Sequence, residues 1–189
     1  MTNVTIDKQK RLIEFIIVSF LVILTRVVDL GSTYILTPNL DYESNPFVKV
    51  LGVNWVGFVA IQLLFLILVM GVNYYSLFKT KMVYPQQKGL SFNKFQRYYM
   101  FGRGVEKNRP LMRLEWIGKV HLGFIGYLLP RVLILYSTII VTIHALIFYG
   151  IPVPRYYLYF LYLFLLFGVV LLNKLFHLAH YRVYKKISG

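Results

Sequence analysis

Residues 156–173 read YYLYFLYLFLLFGVVLLN, with Arg155 before them and Lys174 after them. The stretch carries no charge, and at about 1.5 Å per residue a helix of this length crosses most of the ~30 Å hydrocarbon core of a bilayer. Hydrophobic residues make up 58% of the 189-residue chain, which is more apolar surface than a soluble domain of this size can bury. The stretch therefore predicts a membrane-spanning helix.

Three further stretches have a similar apolar character. They cover about residues 12–36, 55–78 and 122–149. The first is interrupted by Arg26 and Asp29, and the third contains Pro130-Arg131 near its start. Together with residues 156–173 they predict an all-α, polytopic membrane protein with four transmembrane helices in a single membrane domain over residues 1–189.

The composition narrows the possible functions. Charged residues are only 15% of the chain, whereas soluble domains have about 25%. The chain has no cysteine, which excludes thiolate catalysis, iron–sulfur ligation, cysteine-bound zinc and a disulfide-stapled fold. The absent cysteines and the short loops are typical of a prokaryotic inner membrane protein.

Basic residues are distributed very unevenly. The chain has 21 Lys and Arg against 7 Asp and Glu, and 17 of these cations lie in residues 1–11, 79–121 and 174–189. The opposite side of the predicted spans carries only Lys49 and Arg155. Because cytoplasmic segments collect Lys and Arg, both termini and the 79–121 loop are predicted to be cytoplasmic, facing anionic lipid headgroups rather than nucleic acid. Within that loop, residues 111–120 have the spacing of a short interfacial helix.

Polar side chains inside the spans are the first candidates for a functional site, because intramembrane charges are costly unless paired. Arg26 and Asp29 are three residues apart and can pair on one helix face, and Ser32 and Thr33 extend that face outward. Asp29, Gln62 and His144 are predicted to lie at similar depth in the outer third of the membrane. Two interpretations stay open: hydrogen bonds that fix helix packing, or a pocket open to the external side.

The predicted outer loop adds a short motif. Glu43-x-Asn45-Pro46 follows Asp29 and Ser32-Thr33, and a second apolar span comes next. This pattern is similar to a family of small prokaryotic membrane proteins of unassigned activity, which have an aspartate in the first helix and an acidic-x-Asn-Pro loop. The resemblance covers about residues 15–78 and implies that Asp29, Glu43, Asn45 and Pro46 are the characteristic positions. It implies nothing about a mechanism.

Three of the four histidines are candidate metal ligands. His177 and His180 are three residues apart in the predicted fourth helix, and His121 is predicted near the same face. The His-Glu-x-x-His pattern of zinc proteases is absent, so these three residues are weak metal candidates and no cofactor is predicted.

Three functions are compatible with these features. The favoured one is a non-catalytic subunit or accessory factor that binds partner helices and anionic lipid, as part of a complex or a homo-oligomer. The alternative is a small transporter or channel-like unit that uses the intramembrane Arg, Asp, Gln and His cluster. The third is a lipid-modifying or metal-dependent membrane enzyme. It is the least favoured, because no acid, base and nucleophile are convincingly spaced.

Overall fold

A computed structural model describes residues 8–40, 50, 52–80, 84, 85, 87–101 and 114–188. These residues form helices and connecting turns, with no strand among them. The five long helices are α1 (Lys8–Leu36), α2 (Trp55–Phe78), α3 (Phe92–Phe101), α4 (Leu114–Phe148) and α5 (Arg155–Ser188).

Three of the helices are long and apolar enough to cross a membrane. The qualifying segments are Trp55–Phe78 in α2, His121–Phe148 in α4 and Tyr159–Ser188 in α5. Helix α1 has sufficient length at 29 residues, but Glu14, Arg26 and Asp29 interrupt its apolar sequence. The all-helical prediction is therefore confirmed for the described residues, and three helices, rather than the four that the sequence predicts, are long and apolar enough to span a membrane.

Two helices extend further than the sequence indicated. From Leu114 onward, the segment predicted as a separate interfacial helix is the beginning of α4, and residues 111–113 lie outside the described part of the chain. Helix α5 continues 15 residues beyond Asn173, where the predicted fourth span ended. No Gly or Pro interrupts either extension except Gly118, so the helical hydrogen bonding continues past the apolar stretches.

A tight turn separates α4 from α5. Gly150 has a φ of 70°, its N–H donates to the carbonyl of Ile147 at 3.0 Å, and the N–H of Ile151 donates to the carbonyl of Leu146 at 2.9 Å. This pair of bonds is a Schellman motif, which requires a left-handed residue directly after the helix. Pro152 and Pro154 then prevent the helix from continuing before α5 begins.

The chain contacts divide the protein into two compact units. Unit 1 consists of residues 1–15, 72–129 and 169–189, and unit 2 consists of residues 16–71 and 130–168. These two units are groups of residues in contact and are not separate stretches of the chain, so the single membrane domain over residues 1–189 stays a prediction.

Unit 1 has an aromatic core on which α3 packs against the end of α5. Its buried members are Tyr84, Leu90, Phe95, Tyr99, Phe176 and Tyr184. The Tyr184 hydroxyl donates to the carbonyl of Gln87 at 2.5 Å and accepts the N–H of Leu90 at 3.0 Å. The segment before α3 is thus tied to α5 by hydrogen bonds as well as by ring contacts.

Helices α2 and α4 approach each other closely in unit 1. The Ser76 hydroxyl donates to the carbonyl of Gly123 at 2.7 Å. A Cβ atom at Gly126 would lie 2.6 Å from the carbonyl oxygen of Val72, so only glycine fits at this position. Small residues at such contacts let helix backbones come together in membrane proteins.

Candidate functional site: the polar cluster of unit 2

The centre of the polar cluster is an ion pair within α1. The Arg26 guanidinium donates from Nη1 to Oδ2 of Asp29 at 2.6 Å, and the two side chains are only 11% and 9% exposed. The i,i+3 spacing places both groups on one helix face. The opposite charges therefore compensate each other in a region where an unpaired charge is costly.

Arg26 also connects α1 to two other helices. Its Nη2 donates to Oε1 of Gln62 in α2, and its Nη1 donates to the hydroxyl of Ser137 in α4 at 3.1 Å. Ser137 is fully buried, and Gln62 is nearly so. One guanidinium thus holds three helices of unit 2 through three acceptors, using its planar fork of donors.

A second contact joins α1 and α4 one turn further along. The Ser32 hydroxyl donates to the backbone carbonyl of Asp29 at 2.9 Å. The oxygen of the same hydroxyl lies 2.7 Å from Nδ1 of His144 in α4. Thr33 is buried, and its hydroxyl donates to the same carbonyl of Asp29 at 2.9 Å. Thr33 therefore stabilises its own helix, whereas Ser32 makes a contact between helices.

The predicted residues are thus arranged in two adjoining groups. Arg26, Asp29 and Gln62 form one group, and Ser32 with His144 forms the other. The predicted pocket of Asp29, Gln62 and His144 stays a prediction: Asp29 and Gln62 both accept from Arg26, whereas His144 contacts Ser32. Hydrogen bonds of this kind can position helices, because the Arg26 guanidinium reaches acceptors on α1, α2 and α4.

The loop motif lies outside the described residues. Glu43, Asn45 and Pro46 all fall in the 41–49 segment, so their relation to Asp29 stays a prediction.

The metal candidates His177 and His180 belong to unit 1 and have other neighbours. His177 is fully buried, and its Nδ1 lies 2.8 Å from the backbone carbonyl oxygen of Asn173. Because a carbonyl can only accept, Nδ1 of His177 is the protonated ring nitrogen and donates this hydrogen bond. Nδ1 of His180 lies 3.0 Å from the Tyr84 hydroxyl, and its ring stacks on Tyr99. Among the described residues, which include His121, no group of three or more His, Cys, Asp or Glu is arranged to hold a metal ion.

The two tyrosines around His180 are held in their neutral form. Burial raises the pKa of Tyr84 to about 12, although the nearby Arg11 guanidinium acts in the opposite direction. Burial also raises the pKa of Tyr99, with a smaller contribution from Tyr84. Phenols that keep their protons suit a packed aromatic core rather than a site of acid–base chemistry near neutral pH.

Sequence reasoning missed Ser137. This serine lies within the long apolar run of α4, and only its position on the face turned toward Arg26 distinguishes it from its neighbour Thr138. Thr138 donates to the carbonyl of Ile134 in its own helix and is exposed. The sequence does show a serine within a predicted span. It does not show which face of α4 turns toward Arg26, and the role of Ser137 depends on that face.

The chain was compared with protein families, with curated proteins and with solved structures. No protein-family model, curated protein or solved structure matches this chain significantly. The function is therefore inferred from the chain's own residues.

Proposed function

We propose that this protein is a multi-pass inner membrane protein that acts as a non-catalytic subunit or accessory factor, binding anionic lipid and the helices of a partner or of a second copy. In this proposal both termini and the basic loop are cytoplasmic. The polar cluster of unit 2 fixes the helices, and the cations of unit 1 nearest the predicted membrane surface, such as Lys8, Lys10 and Lys79, bind lipid headgroups. The following observations support it.

The observation that carries the proposal is the distribution of exposed charge. Ten exposed Lys and Arg side chains are described, and all of them belong to unit 1: Lys8, Lys10, Lys79, Lys88, Lys94, Arg97, Lys174, Arg182, Lys185 and Lys186. Glu14 is the only carboxylate of unit 1 with a described side chain, and it is half-buried. A surface with this excess of cations is attracted to the anionic cytoplasmic leaflet.

The polar cluster supports a structural role for the spans. The charge of Arg26 is compensated by Asp29, and its remaining contacts go to Gln62 and Ser137. Such compensation lowers the cost of placing α1 in the bilayer, so we include α1 as the fourth span. Its exposed side chains are apolar over several turns, as at Ile16, Phe20 and Val27, which suits contact with lipid or with a partner helix.

The resemblance of residues 15–78 to small prokaryotic membrane proteins is part of the proposal. It is consistent with an inner membrane location, and it makes Asp29 a characteristic position without implying a mechanism. The structure describes Asp29 but not Glu43, Asn45 or Pro46.

Lipid binding is tested most simply on the purified protein in neutral detergent. We define the proximal tier as Lys8, Lys10 and Lys79, which lie at the predicted membrane surface. Phosphatidylglycerol is expected to raise the unfolding temperature more than phosphatidylcholine does, since a ligand that binds only the folded state stabilises it. Changing the proximal tier to Gln is expected to remove most of that difference.

The matched control changes three other lysines, Lys88, Lys94 and Lys185, to Gln, which removes the same charge from a different place. Its response to phosphatidylglycerol is expected to remain close to that of the unchanged protein. Equal stabilisation by both lipids in the unchanged protein would refute lipid binding by unit 1.

The transporter alternative is favoured by one observation, the half-buried imidazole of His144 beside Ser32 and the Asp29 carbonyl. A transport pathway through this cluster requires the Asp29 carboxylate itself. We therefore expect the charge-neutral pair Arg26→Gln with Asp29→Asn to complement a deletion phenotype if the cluster is structural. Failure of this variant at normal expression level would favour the transporter, because amides keep hydrogen bonding but remove the titratable acid.

A further inference from the structure

The end of α5 reaches well past the predicted membrane surface. Lys185 is 12 residues beyond Asn173, which places its Cα about 18 Å further along the helix axis. The headgroup layer on one side of a bilayer is only about 5 to 8 Å thick. Since average helix tilt shortens this projection by less than a tenth, Lys185 stands about 10 Å beyond the headgroups in water.

Two other lysines belong to segments that pack against the end of α5. The ring of Phe95 lies 5.4 Å from Tyr181 and 5.1 Å from Tyr184, which places neighbouring Lys94 beside the end of α5. Tyr184 bonds to Gln87 and Leu90, which brackets Lys88 in the turn between them. The Lys185 ammonium itself lies 5.3 Å from the centre of the Tyr181 ring.

These three lysines, Lys88, Lys94 and Lys185, form what we call the distal patch. Each is exposed, and the rings beneath them are anchored in the core of unit 1. The three exposed lysines are therefore carried by segments that pack on one aromatic core. Its separation from the headgroups is about one Debye length at physiological salt, which weakens attraction to the protein's own membrane.

The side chains of the distal patch favour a carboxylate-rich protein segment over single-stranded nucleic acid as the water-soluble polyanion that binds there. Binding of single-stranded nucleic acid relies on free aromatic faces for base stacking. Phe95 and Tyr184 are at most 1% exposed, and the half-buried Tyr181 ring already stacks on Tyr184 and lies under the Lys185 ammonium. Three phosphate contacts also give only weak binding to nucleic acid at physiological salt. Lysine ammonium groups on flexible stems suit separate carboxylates that are spaced along a chain.

We propose that the distal patch is a docking surface for an acidic, water-soluble protein segment rich in Asp and Glu. This inference rests on the proposed function, because the proposed function supplies the membrane orientation that places the distal patch in the cytoplasm. The protein would thus bind lipid through the proximal tier and a soluble acidic partner through the distal patch.

The test uses the whole 189-residue chain in nanodiscs of phosphatidylcholine alone and a fluorescent dodecaglutamate peptide, with dodecaglutamine as the uncharged control. Dodecaglutamate is expected to bind, with affinity falling as salt rises. The distal triple variant, Lys88→Gln with Lys94→Gln and Lys185→Gln, is expected to bind roughly tenfold more weakly, since each exposed charge pair contributes about two- to threefold. The matched proximal triple variant should change the affinity by less than about twofold.

A third variant with arginine at the three distal positions is expected to keep binding, which separates lost charge from lost folding. The inference is refuted if the proximal triple variant weakens binding as much as the distal one. It is also refuted if the unchanged protein ignores dodecaglutamate, including the case in which it binds a single-stranded oligonucleotide or anionic vesicles instead. Lipid-dependent stabilisation is measured on the same proteins. If the unchanged protein responds to phosphatidylglycerol but does not bind dodecaglutamate, this inference is refuted and the proposed function stands.

Discussion

Arg26→Gln and Asp29→Asn, made separately, are each expected to lower the free energy of unfolding by about 3 kcal/mol or more, the usual cost of breaking a buried ion pair. Each change leaves one charge without its partner in a nearly buried position. The double variant is expected to lose less than either single variant, because it leaves no uncompensated charge. Titration with a denaturing detergent in micelles measures all four proteins.

Thr138→Val provides the control for this cycle. Thr138 follows Ser137 directly but is exposed and bonds within its own helix, so its replacement is expected to change the free energy of unfolding by less than about 0.5 kcal/mol. Additive losses from the two α1 changes would show that Arg26 and Asp29 act through separate partners.

Gly126→Ala is expected to destabilise unit 1 strongly. The added methyl group would meet the backbone carbonyl of Val72 at 2.6 Å, and a backbone cannot move aside as a side chain can. Helices α2 and α4 must then separate, which also weakens the bond from Ser76 to Gly123. We expect a loss of about 3 kcal/mol, at the upper end of the usual cost of overpacking.

The neighbouring change Gly71→Ala separates this steric effect from a general effect of glycine. Nothing lies within 4 Å of a Cβ built at Gly71, so alanine there is expected to be neutral or to gain up to about 1 kcal/mol from its helix propensity. Similar thermal unfolding curves for the Gly126→Ala and Gly71→Ala proteins would contradict the close packing of α2 on α4.

The spans were predictable because hydrophobic length is a local property of the sequence. Residues 156–173 stand out without any tertiary information, and the boundaries of α2 agree with the prediction. The start of α4 and the end of α5 were not predictable in this way, since helical hydrogen bonding continues past the apolar runs. The aromatic core of unit 1, which includes Phe176 and Tyr184, then stabilises the extension of α5.

The candidate site was predictable only in part, for a related reason. Charges in a span are conspicuous, so Arg26 and Asp29 could be paired from spacing alone. Ser137 gave little signal, because its role depends on which face of α4 turns toward Arg26. Helix α3 was missed as well, since its aromatic and basic residues also fit a segment lying on the membrane surface.

In the proposed orientation, unit 1 carries its exposed cations on the cytoplasmic side of the membrane. Ser91→Cys and Ser44→Cys, each the only cysteine of its chain, test this orientation by labelling with a membrane-impermeant maleimide in intact cells. Ser91 is exposed at the start of α3, and Ser44 lies in the predicted outer loop. We expect labelling at position 44 in intact cells and at position 91 only after the membrane is permeabilised; labelling at position 91 in intact cells with position 44 protected would contradict the orientation.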